Sequence, residues 1–183
     1  MLMSGRKLAA STYAGVLILV LIWIAGIVLD PLMRAAGGAD STLLSLFARA
    51  YGRVCHQIGD RSFHIAGHPL AVCSRCFGIY VAYLAGLIVY PFARSLTQTE
   101  LPHRSWLIAA LVPVVVDVAG GFLGIFENTL ASRALTGLIA GAAGAFYTLP
   151  GLVSLAASLF KVQTNCRAGD EGDNVTQADA VRA

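Results

Sequence analysis

Four long apolar runs stand out along the chain, and each is long enough to cross a bilayer as a helix. About 20 mostly apolar residues in a helix span a hydrocarbon core of about 30 Å. We therefore predict transmembrane spans at about 8–30, 77–94, 105–126 and 134–160. The first is interpreted as a retained anchor, because its apolar stretch is longer than the core of a signal peptide. The sequence thus predicts an all-α, polytopic membrane protein.

The composition supports this interpretation and excludes an ordinary soluble domain. Apolar residues make up 57% of the chain and charged residues 13%, against about 25% charged residues in soluble domains. The formal net charge of +3 is small and scattered, so nucleic acid is not expected as a partner. We predict one membrane domain over 1–163 and a polar, disordered tail over 164–183, where small and acidic residues replace the apolar runs.

The charges that flank the spans predict the orientation. Arg6 and Lys7 precede the first span, and Asp30 and Arg34 follow it. Arg104 precedes the third span, and Glu127 follows it. Because basic residues favour the cytoplasmic side, both termini are predicted there, in a prokaryotic inner (plasma) membrane.

Glycines recur along one face of the fourth span. Gly137, Gly141 and Gly144, with Ala140 and Ala145 beside them, form a smooth surface that suits close contact with another helix. This face could therefore contact a membrane protein partner or a second copy of the chain in a homo-oligomer, and the sequence leaves both alternatives open.

The loop over 34–76, between the first two spans, carries most of the reactive side chains. Its first part is predicted as a short amphipathic helix capped by Asp40, since apolar residues from Leu43 to Val54 recur every three or four positions. Three of the four cysteines and three of the four histidines then follow within 22 residues. They are Cys55, His56, His64, His68, Cys73 and Cys76.

This cluster predicts a metal site. The Cys-x2-Cys pair places two thiolates on one turn, where they can bind one ion, and Cys55 supplies a third from another element. One imidazole would complete the tetrahedral Cys3His set that Zn²⁺ prefers, and another transition metal remains open. The spacing does not select among the three histidines. The ion would be structural with four protein ligands and catalytic with water in one position.

Other interpretations of the loop remain open. A Cys-x2-Cys pair at a helix N-terminus is also typical of the reactive thiols of disulfide oxidoreductases, although the chain offers no thioredoxin-like pattern of strands. In an oxidising compartment, Cys55 could form a structural disulfide with Cys73 or Cys76. A non-catalytic accessory subunit of a membrane complex is a further alternative. Cys166, alone in the tail, is expected to be a bystander.

Charged residues also lie within or beside the third and fourth spans. Asp117 lies near the middle of the third span, where an unpaired carboxylate costs about 2.5–3.5 kcal/mol, so we expect it to have a partner. Glu127 and Arg133 are predicted to form an interfacial ion pair, or to line one polar cavity with Asp117 and the loop residues His56 and Arg61. Asp117, Glu127 and Arg61 are the catalytic candidates. Asp117 is alternatively a metal ligand.

Three motifs of the loop, CHQ from Cys55, RSF from Arg61 and CxRCxGxY from Cys73, resemble those of the DUF2085 family. This family comprises small bacterial and archaeal membrane proteins of unknown function, so the resemblance implies a fold and no activity. It extends from the amphipathic helix to the fourth span. It also implies a Pro-x3-Asp-Gly element, which matches at Pro113 and Asp117 but has Val118 in place of glycine. A Glu-x5-Arg-x2-Thr-Gly element begins at Glu127.

Overall fold

The fold consists of five helices and one small hairpin in the described part of the chain, which comprises residues 5–37 and 42–182 of a computed structural model. For 43, 44 and 162–182 the structure describes the backbone alone, and the predicted cap Asp40 lies outside the described residues. The elements are α1 (Gly5–Ala35), α2 (Thr42–Gly52), a 3-10 turn (Gly59–Arg61), β1 (His64–Ile65), β2 (His68–Pro69), α3 (Ser74–Ala93), α4 (Arg104–Phe122) and α5 (Leu130–Arg182).

The predicted all-α membrane architecture is confirmed. Four helices of the described chain are long and apolar enough to span a bilayer: Gly5–Ala35, Ser74–Ala93, Arg104–Phe122 and Leu130–Lys161. A helix suits lipid because it satisfies its own backbone hydrogen bonds. Large apolar side chains face outward along these helices, as expected for contact with acyl chains. The orientation of the termini stays a prediction.

The helix ends differ from the predicted span limits for local reasons. α1 continues past Asp30, because this buried carboxylate accepts a hydrogen bond from Arg34 Nε one turn later, at 3.0 Å. α4 ends at Phe122 and not near 126, since Gly124 adopts a φ of +69° and turns the chain away. The backbone of 164–182 continues α5, whereas its composition predicts a disordered tail. The behaviour of that segment in solution stays a prediction.

The hairpin β1–β2 corrects the expectation that the loop contains no strands. Its strands are antiparallel, with Ile65 opposite His68. Ala66 and Gly67 connect them with φ of 51° and 80°, as a two-residue hairpin turn requires. Asn-Gly or Asp-Gly is the usual sequence signal of such a turn, and Ala-Gly is not, so the sequence does not predict this hairpin.

α3 and α5 form the closest helix pair, and glycine makes this contact possible. A Cβ added at Gly137 would overlap the carbonyl oxygen of Arg75, and one added at Gly141 would overlap that of Ile79. Gly78 of α3 faces the α5 backbone at Ala134 in the same way. These α5 glycines, predicted to contact another helix, thus contact α3 of the same chain. Association with a second protein or a second copy stays a prediction.

α2 lies against α1 through one fully buried side chain. The Tyr51 hydroxyl donates a hydrogen bond to the Trp23 carbonyl oxygen at 2.8 Å, and the two rings meet edge to face at 4.6 Å. Burial, followed by the negative charge of Asp30, raises the pKa of Tyr51 to about 12. Because Cys55 follows α2 directly, this contact determines where the first cysteine lies.

Candidate metal centre

Two separate segments deliver the three loop cysteines. Cys55 lies in the turn after α2, where its backbone N–H donates to the Tyr51 carbonyl oxygen at 2.8 Å. Cys73 is the N-cap residue of α3, and Cys76 lies in the first turn of that helix. Cys55 is buried and the other two are half-buried, so the group lies at the rim of the bundle.

The three thiol sulfurs converge. All three Sγ atoms lie within 4.8 Å of one another. The Cys73 backbone N–H donates to Cys55 Sγ at 3.2 Å, which favours a thiolate there. Hydrogen bonding by the Cys76 thiol is the main cause that lowers the pKa of Cys73 to about 5, and desolvation opposes it. One negative charge is therefore readily held by this group near neutral pH.

The donor set fits a zinc ion with one position left for another ligand. Tetrahedral coordination with Zn–S distances of about 2.3 Å separates thiolate sulfurs by about 3.8 Å. Sulfurs within 4.8 Å of one another reach that separation with small rotations of their side chains. Soft thiolate ligands select Zn²⁺ or Cu(I) over Mg²⁺ and Ca²⁺.

None of the three predicted histidines belongs to this group of sulfurs in the described chain. His56 is exposed and lines the cavity beside the cysteines. His64 and His68 lie on the hairpin, where His64 is exposed and His68 half-buried. The choice of a histidine as fourth ligand therefore stays a prediction, and His56 is the one that shares the cavity.

Asp117 pairs with Arg75 across α3 and α4, and both side chains are largely buried. The Asn128 amide donates to the Asp117 carbonyl oxygen at 2.7 Å and to its Oδ2 at 3.4 Å. The Asp117 carboxylate, which lies within a membrane-spanning helix, is therefore neutralised by Arg75 as expected. It does not belong to the sulfur group, which removes support for Asp117 as a metal ligand.

Glu127 and Arg133, both within the described chain, do not form the predicted ion pair. α4 ends early at Phe122, and the following turn leaves Glu127 exposed to solvent. The Arg133 guanidinium instead donates to the Asn128 carbonyl oxygen, at 3.5 Å. Glu127 thus remains a residue of the outer rim.

A cavity of about 280 Å³ opens beside the cysteines. Arg61, Arg75, Arg133 and His56 line it together with the three thiols. An adjoining cavity of about 310 Å³ shares the three arginines, and Glu127 lines a third, wider one outside it. His56 and Arg61 thus share one cavity with Arg133, whereas Glu127 lines only the outer cavity and Asp117 lines none of the three.

Sequence reasoning missed two residues of this site. Arg75 lies inside the CxRC motif, and the position of Asp117 in a span indicated that it needs a partner, but the sequence did not select Arg75 among the basic residues. Asn128 gave no comparable signal, because its role depends on the early end of α4.

Comparisons with known proteins identify relatives of this chain. The model of the family DUF2085, described as a predicted membrane protein, matches residues 55–147 and thus the whole cysteine loop from Cys55. An uncharacterized protein of Methanocaldococcus jannaschii is 41% identical over 142 residues, covering 75% of this chain and 90% of the relative. An uncharacterized protein of Methanothermobacter thermautotrophicus is 33% identical over 90 residues, covering 48% of this chain and 78% of that protein. No solved structure matches the chain. The chain belongs to the DUF2085 family of predicted membrane proteins.

Proposed function

We propose that this membrane protein binds one zinc-like ion through Cys55, Cys73 and Cys76. The convergence of their sulfurs within 4.8 Å is the observation that carries the proposal. Nearby thiols can also be inert or form a disulfide, but a third sulfur from a different segment matches the ligand number of a metal site. The hydrogen bond from the Cys73 backbone N–H to Cys55 Sγ further supports a thiolate at Cys55.

The remaining ligand position determines what such an ion does. A fully coordinated ion would join the loop to the mouth of the bundle and act structurally, whereas an open position would supply a Lewis acid to the cavity. His56 lines that cavity and is the candidate fourth ligand or proton acceptor. The Arg75–Asp117 pair orients the turn between Cys73 and Cys76, since Arg75 lies between them and is held from α4.

Elemental analysis of the full chain tests the proposal. The protein is purified in neutral detergent under reducing, chelator-free conditions. We expect about one zinc per chain, and most of it lost in each of Cys55→Ser, Cys73→Ser and Cys76→Ser. Cys166→Ser is the matched control and should retain the ion. A metal-free wild-type protein, or unchanged zinc content in all three variants, would refute metal binding.

One observation favours a thiol–disulfide function as the second candidate. Cys73 caps α3 with a pKa lowered to about 5, and Cys76 follows on the same turn, as in reactive Cys-x2-Cys pairs. In this case the preparation contains no zinc, and Cys73 is alkylated rapidly at pH 6. A quinone oxidises the two thiols to a disulfide and becomes its quinol, and reduced thioredoxin returns the disulfide to two thiols. Bound zinc would instead protect Cys73 from alkylation until a chelator removes it.

A further inference from the structure

Three guanidinium groups meet beside the cysteines, outside the proposed metal site. Arg61 reaches the cavity from the loop, Arg75 from the first turn of α3 and Arg133 from the first turns of α5. All three line both the cavity beside the thiols and the adjoining cavity toward α4. Segments far apart in sequence thus bring three positive charges to one opening.

In the described chain, carboxylates neutralise only one of these charges, and the negative charge held by the cysteines offsets a second. Asp117 pairs with Arg75, and neither of the two inner cavities has an acidic residue in its lining. Within the described chain, Arg61 has no ion pair, and Arg133 has only the 3.5 Å contact with a carbonyl oxygen. The Arg75 Nε is buried without a hydrogen-bond partner among the same residues. Unpaired guanidinium donors around a cavity are a binding arrangement for oxyanions.

The cavity also lies beside the ends of membrane-spanning helices. Arg75 and Arg133 are at the loop-side ends of two membrane-spanning helices, and the end of α4 at Phe122 lines the same opening. Next to it, Phe122 and Ile125 are 89% and 71% exposed. A charged opening flanked by exposed apolar side chains matches a molecule with an anionic head and an acyl tail.

We propose that Arg61, Arg75 and Arg133 bind a phosphate oxyanion of the kind carried by an anionic lipid headgroup. Guanidinium groups bind phosphate oxygens with paired, charge-assisted hydrogen bonds. The exposed apolar residues at the end of α4 would then contact the acyl chains. This site goes beyond the proposed metal site and does not require that an ion be bound.

Binding of short-chain phosphatidylglycerol to the purified full chain in neutral detergent tests the proposal. We expect saturable binding, with phosphatidylcholine at least about tenfold weaker because its choline cation faces the arginines. Arg61→Gln and Arg133→Gln should each weaken binding about tenfold, a change of about 1.4 kcal/mol. Arg61→Lys should retain part of the affinity. Arg53→Gln, an exposed arginine of the same loop outside these cavities, is the control and should bind like the wild type.

Inorganic phosphate added in excess distinguishes the source of the oxyanion. Competition with the lipid would show that the site accepts phosphate without acyl chains, and lipid binding without competition would show that the chains are needed. Zinc content is measured in the same samples, so a loss of the ion and a loss of lipid binding are separate outcomes. Absence of binding by both ligands, or wild-type affinity in Arg61→Gln and Arg133→Gln, would overturn the proposal.

Discussion

Replacing Asp117 by Asn removes the negative charge that holds Arg75 in the bundle. The two side chains are 7% and 17% exposed, so the guanidinium cannot simply turn into bulk water. The amide keeps the shape of the carboxylate and can still accept a hydrogen bond, but it no longer neutralises the cation. The change therefore isolates the charge–charge contribution of a contact between α3 and α4.

The structure also indicates the size of the effect. Removing one partner of a buried ion pair costs about 3–5 kcal/mol. We expect the lower end, because Arg75 borders a cavity where solvent partly screens the unpaired charge. A chain of 150–250 residues loses about 2–4 °C in Tm per kcal/mol, so about 3 kcal/mol corresponds to a fall of roughly 6–12 °C. Zinc content should not change, since the carboxylate lies outside the sulfur group.

Thermal unfolding in detergent, with elemental analysis of the same samples, checks this prediction. Glu127→Gln removes an exposed carboxylate nearby and should shift Tm by no more than about 2 °C. The double variant of Arg75→Gln and Asp117→Asn should be more stable than the sum of the two single effects, because it leaves no unpaired charge. A Tm within 2 °C of the wild type, or strict additivity in the double variant, would refute this account of the pair. Loss of zinc in Asp117→Asn would instead indicate that the Asp117 carboxylate is a metal ligand.

Two further predictions concern how the helices hold together. The pKa of Tyr51 is about 12 in the folded state and near 10 in the unfolded state, so the unfolded state loses this proton first as pH rises. The free energy of unfolding should therefore fall by up to about 2–3 kcal/mol between about pH 10 and 12. Tyr51→Phe should flatten the alkaline part of a plot of Tm against pH, and an unchanged slope would contradict the assignment. Gly137→Ala should lower Tm, because its Cβ would overlap the Arg75 carbonyl oxygen and overpacking costs about 1–3 kcal/mol. Gly144→Ala is the control, with a Cβ 3.6 Å from the Tyr83 ring, and equal Tm values in the two variants would count against the close α3–α5 contact.

Much of the fold could be predicted because lipid leaves few alternatives to a long apolar run. Such a run must satisfy its backbone internally, so length and hydropathy were enough to locate four spans. The boundaries were harder, since they depend on single residues such as Gly124, whose φ of +69° ends α4 early. Periodicity does not report on such local turns.

The site was predictable only where its residues are close in sequence. Cys73 and Cys76 share one turn by their spacing, and Cys55, 18 residues upstream, converges with them. The partner of Asp117 could not be chosen in the same way, because Arg75 is 42 residues away and the rotation of α4 against α3 does not follow from hydropathy. Metal binding itself stays a prediction.

All three sulfurs that meet at the rim come from one short stretch of chain, which matters for biosynthesis. Closing a loop of this length has a small entropic cost, and the stretch is complete as soon as α3 starts to emerge from the ribosome. The cysteines can thus assemble before α4 and α5 exist. In that case α4 and α5 pack against a cysteine loop that is already folded, and its folding does not depend on them.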